Sequence, residues 1–108
     1  MVGKIKITFS TEFIEYLDQL IKILYKKEYF GFIESSDFYV SKIYDFIEEN
    51  IQTFPARKTP SQLQNLGSNY IFYKSNQRTT WYIFFENKEN NYLIINIINS
   101  HSEEVKWL

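Results

Sequence analysis

The chain has 108 residues, 44% of them hydrophobic and 19% aromatic, the size and composition of one domain with its own core. It contains no cysteine, which excludes a disulfide framework, a thiolate metal site and a cysteine nucleophile, and fits a reducing cytoplasm. The net charge of −1 argues against general nucleic-acid binding, but it hides an asymmetry: residues 1–55 hold six Lys and Arg against nine Asp and Glu (−3), and residues 56–108 hold six against four (+2).

In chain order, residues 4–9 alternate strictly, with Ile5, Ile7 and Phe9 on one face and Lys4, Lys6 and Thr8 on the other, the period of a half-buried strand. Ser10 and Thr11 then supply a helix N-cap. The apolar stripe Phe13, Ile14, Leu17, Leu20, Ile21, Leu24 and Tyr25 marks an amphipathic helix ending before Gly31. A second cap signal at Ser35, Ser36 and Asp37 opens another helical stripe, Val40, Ile43, Tyr44, Ile47, Ile51 and Phe54, which Pro55 stops. Two helices joined by a short connection predict an antiparallel hairpin.

Residues 55–69, PARKTPSQLQNLGSN, hold both prolines and read as a loop with one short helical turn. Three strand-like runs follow at 70–73, 79–86 and 91–99, joined by hairpin connections. The last run is apolar on both faces, Leu93, Ile95 and Ile97 against Tyr92, Ile94 and Ile98, which predicts a central strand. A short helix is expected in SEEVKWL.

No repeat, linker or second domain interrupts the pattern. No apolar run approaches the roughly 18 residues needed to span a bilayer, and MVGKIKITF lacks the apolar block of a secretion signal, so a cytoplasmic protein without a membrane segment is expected. The expected architecture is α+β: a helical hairpin packed on a twisted, mainly antiparallel four-stranded sheet in the order β-α-α-β-β-β.

This order, in a chain of this length, resembles the RelE/ParE superfamily of bacterial toxins from toxin-antitoxin modules. The resemblance spans nearly the whole chain. It is most specific in RTTWYIFFENKENNYLIINIINSH, from Arg78 to His101, where an arginine opens an aromatic strand and a hairpin leads to a strand ending near a histidine. GSNYIFYKSNQR is similar to the family's glycine-then-aromatic entry into the sheet. The resemblance implies one of two activities, mRNA cleavage in the ribosomal A site or inhibition of DNA gyrase without hydrolysis; a non-toxic binding module of the same fold is a further alternative. It also implies a cognate antitoxin as partner, in a hetero-oligomer or beside a homodimer.

Cleaving RNA through its own 2′-hydroxyl needs a proton acceptor, a proton donor and cations for the developing charge, but no metal or other cofactor. His101 is the chain's one histidine, and imidazole is the side chain that ordinarily titrates near neutral pH. It matches the position where some RelE-like toxins place a catalytic histidine, although Ser102 replaces the aromatic residue that can follow it. Arg78 matches the arginine that could hold a phosphate at two points, and Tyr82 completes the candidate catalytic set. Arg57, Lys58, Lys74 and Tyr73 form the candidate RNA-binding set. Tyr70, Tyr73, Trp81 and Tyr82 could stack on bases, although core packing claims at least half of these four. Glu86 could serve as a base but equally suits a structural role at a strand end. No phosphate loop, zinc motif or nucleophile elbow is present.

Overall fold

The structure is a computed structural model and describes residues 5–26, 33–75, 77 and 79–108. Its class is α+β. A five-stranded mixed sheet runs in the order β1-β5-β4-β3-β2, with β1 (Lys6–Phe9), β2 (Arg57–Lys58), β3 (Asn69–Lys74), β4 (Thr80–Lys88) and β5 (Asn91–Asn99). Neighbouring strands are antiparallel except β1 and β5, which run parallel. Two helices, α1 (Thr11–Lys26) and α2 (Ile33–Asn50), lie between β1 and β2 in the chain.

The four-stranded expectation is corrected by β2. Arg57 and Lys58 pair with Tyr70 and Asn69, and a two-residue strand is too short to leave a periodic signal. The loop around it also holds a 3₁₀ helix, Ser61–Leu66, and a second, Glu103–Trp107, follows β5. Helix α2 begins at Ile33, ahead of the expected cap at Ser35 to Asp37. Lys4 and Gly31, named as a strand residue and a helix boundary, lie outside the described residues.

The helical hairpin covers one face of the sheet and buries the main core. Phe13, Leu17 and Leu20 of α1 and Val40, Ile43 and Ile47 of α2 meet Ile71, Ile83, Phe85 and Ile94 from the strands. Helix α1 is fastened at its start by Ser10. Its hydroxyl accepts the Phe13 amide at 3.1 Å, a true N-cap, and donates to the Ile95 carbonyl at 3.0 Å.

Strand β5 is interior, as its two apolar faces predict, but its alternation is broken. Phe84 pairs with Asn96 while the next residue, Phe85, pairs with Ile94, so Ile95 is the extra residue of a β-bulge. The bulge puts Ile94 and Ile97 together on the helix side, although strict alternation would separate them, and leaves Leu93 41% exposed. The opposite face carries a second cluster in which Leu63, Tyr70 and Phe84 are buried, with Leu66, Phe72, Tyr82, Ile98 and Leu108 packed against it. This face is only partly covered, by the two 3₁₀ helices, and it is where a ligand can reach the sheet.

Candidate nucleic-acid interface

Alternation along β3 and β4 decides which aromatic rings reach the face away from the helices. Tyr70 and Phe72 on β3 stand beside Phe84 and Tyr82 on β4, with which they are paired. Arg57 pairs with Tyr70 and so joins the same face, its guanidinium carbon 5.2 Å from the centre of the Phe72 ring. That cation–π contact is worth roughly 0.5–1 kcal/mol at an exposed site. It also fixes where the positive charge sits. Tyr82 lies 6.4 Å from Phe72 and 6.1 Å from Tyr70, ring centre to ring centre.

The C-terminal 3₁₀ helix supplies the facing wall. An open groove of about 300 Å³ is thereby lined by Arg57, Tyr70, Phe72, Tyr82, Val105 and Leu108. Among the side chains that line it, Arg57 carries the charge, and Tyr70, Phe72 and Tyr82 are aromatic. Of the residues named from sequence, Arg57, Tyr70 and Tyr82 are brought together here. Phe72, Val105 and Leu108 were missed. The parity of Phe72 with Tyr70 was the available signal for the first, whereas nothing local distinguishes Val105 and Leu108 from ordinary terminal residues.

The other candidates are dispersed. Tyr73 and Trp81 face the helices. Tyr73 stacks on Phe46 at 4.9 Å, and burial, then the neighbouring Tyr39, push its phenol above the ordinary tyrosine pKa. The Trp81 indole donates to the Tyr39 hydroxyl at 2.9 Å, and that hydroxyl lies 2.8 Å from Ser75 Oγ. The proposed stacking set is therefore split between the two faces, Tyr70 and Tyr82 on one and Tyr73 and Trp81 on the other. Lys58 is exposed opposite Asn69, one residue out of phase with Arg57. Lys74 is exposed at the end of β3, paired with Thr80.

His101 is exposed in the turn after β5. Its Nε2 lies 3.3 Å from Thr79 Oγ1, and its backbone amide donates to Asn99 Oδ1 at 2.8 Å. It therefore stands beside the β3–β4 hairpin, at the same end of the sheet as Lys74. Arg78 lies outside the described residues. Glu86 has a structural partner: its Oε2 accepts the Ser68 amide at 2.9 Å and so anchors the entry to β3. Among the described residues no cluster of three or more His, Asp or Glu side chains is placed to hold a metal ion. No helix among them is long and apolar enough to cross a membrane.

Comparison with family models, with curated proteins and with solved structures finds no match to this chain.

Proposed function

We propose that the chain is a toxin of RelE/ParE type whose target is single-stranded RNA, bound on the sheet face opposite the helical hairpin. The observation that carries the reading is the guanidinium of Arg57 held over Phe72 at the edge of an aromatic groove that includes Tyr82. Unpaired bases bind aromatic rings with little dependence on sequence, while a positioned guanidinium takes a phosphate at two points. The element order, with both helices on the other face of the sheet, supports the same reading by resemblance. So does the positive balance of residues 56–108.

In the proposed reaction a base removes the proton of the 2′-hydroxyl, and the 2′-oxygen attacks the adjacent phosphorus. The bond to the 5′-oxygen then breaks, that oxygen receives a proton, and a 2′,3′-cyclic phosphate remains. His101 is assigned the proton transfer, with Lys74 and, by the resemblance, Arg78 as cations for the phosphorane. A cognate antitoxin is the expected partner.

Expression of the wild type, Arg57→Ala and His101→Ala in bacteria tests this. Wild type should stop translation with cleaved mRNA. Cleavage by His101→Ala should fall about 10²-fold or more, as for loss of a general acid or base. Growth arrest with intact mRNA and DNA-damage signalling would transfer the assignment to gyrase inhibition, and a harmless wild type would refute toxicity altogether.

A further inference from the structure

We infer that the groove between Arg57 and the C-terminal 3₁₀ helix is a pocket for one unpaired purine nucleotide, with the base on Tyr82 and its phosphate on Arg57. This deepens the RNA reading above and rests on it for biological context, though the pocket is testable by itself. At about 300 Å³ the groove is at the small end of ligand sites, so it holds one nucleotide and excludes a helix or duplex. Val105 and Leu108 form the wall that sets this limit.

The ring geometry assigns separate roles. Tyr70 is 5% exposed and belongs to the packed cluster below the groove, so it supports the floor and offers no free ring face. The Arg57 guanidinium sits 5.2 Å from the Phe72 ring centre, which holds its N–H donors at the groove. Phe72 is thus a positioning residue for the charge. Tyr82, half-buried and 6.4 Å from Phe72, is the ring left for the base. A purine presents a larger face than a pyrimidine and gains more from stacking. Arg57 is the charged side chain of the lining and matches one phosphate. A neutral or cationic ligand would leave that charge unused.

Titration of the full chain with adenosine, AMP, GMP, CMP and a short single-stranded oligoadenylate, followed by NMR or calorimetry, tests the pocket. AMP and GMP should bind more tightly than CMP, and AMP about tenfold more tightly than adenosine, the size of one charge-assisted contact. Tyr82→Ala should weaken AMP binding about tenfold, and Tyr82→Phe should retain it, which separates loss of the ring from loss of folding. Arg57→Gln should bring AMP and adenosine to equal affinity. Phe72→Leu should narrow the same ratio, and Phe72→Tyr should restore it. Lys42→Gln on α2 is the unaffected control.

Equal wild-type affinity for adenosine and AMP, or AMP binding unchanged by Tyr82→Ala, overturns the inference. RNA binding that AMP does not compete away overturns the pocket and leaves the toxin reading standing. AMP binding as described, without RNA binding or growth arrest, keeps the pocket and overturns the toxin reading.

Discussion

Gly67 shows how tightly single residues are constrained near the site. It has φ of 152°, and a Cβ there would meet the Phe85 backbone nitrogen at 2.9 Å and Phe84 Cβ at 3.0 Å. The strand entry can pass over β4 only because this residue has no side chain. Gly67→Ala should cost about 3 kcal/mol in chemical denaturation, from strain and displacement of a backbone with no room to yield. Glu89 is the opposite case. It occupies the β4–β5 turn at φ 57°, a left-handed conformation that suits glycine or asparagine. Glu89→Gly should therefore stabilise the protein by about 0.5–1 kcal/mol, seen as a raised Tm. Glu86, by contrast, resolves from an ambiguous acid into the acceptor for the Ser68 amide, a role that becomes visible only once β4 is laid beside the β3 entry.

Among the elements, β5 and α1 are coupled through one side chain. Ser10 caps α1 and also bonds the carbonyl of the bulge residue Ile95. Ser10→Ala should destabilise by about 1–2 kcal/mol, at the upper end for a lost cap because the bulge loses its anchor too. The second coupling joins α2 to the β3–β4 hairpin through the Trp81 indole, the Tyr39 hydroxyl and Ser75. Trp81 is 3% exposed. Tyr39→Phe removes the oxygen that accepts its N–H, and should cost about 1–2 kcal/mol, with earlier hydrogen exchange at Lys74, Ser75, Thr79 and Thr80. Thr79 on that hairpin touches His101, so the same variant should also lower the RNA cleavage proposed above. Both helices and β5 were legible from their stripes of Ile, Leu and Phe. The face assignment along β5 was not, because a one-residue bulge exchanges the two faces and no residue type announces it.

For the molecule as a whole, burial of phenols makes stability sensitive to alkaline pH. Tyr44 and Tyr73 have pKa values raised above 10.0 in the fold, chiefly by desolvation, with Asp18 and Tyr39 respectively adding to it. A raised folded pKa means the native state holds its protons longer than the unfolded chain. This contribution is therefore fully present below pH 10 and is lost as pH rises through the raised values. Denaturation midpoints should be flat with respect to these groups up to about pH 10 and fall beyond it, and Tyr44→Phe should make that fall shallower. The sequence by itself determined the α+β class, the order of the helices and longer strands, and the positive balance of the second half, because periodicity and charge are local quantities. It also drew attention to Arg57 and Tyr82 as separate residues. Only the tertiary structure decided that these two share a groove while Tyr73 and Trp81 turn to the helices, and that Phe72, Val105 and Leu108 complete it. Strand pairing and the docking of the C-terminal 3₁₀ helix bring together residues as far apart in the chain as Arg57 and Leu108, and neither contact leaves a trace in local composition.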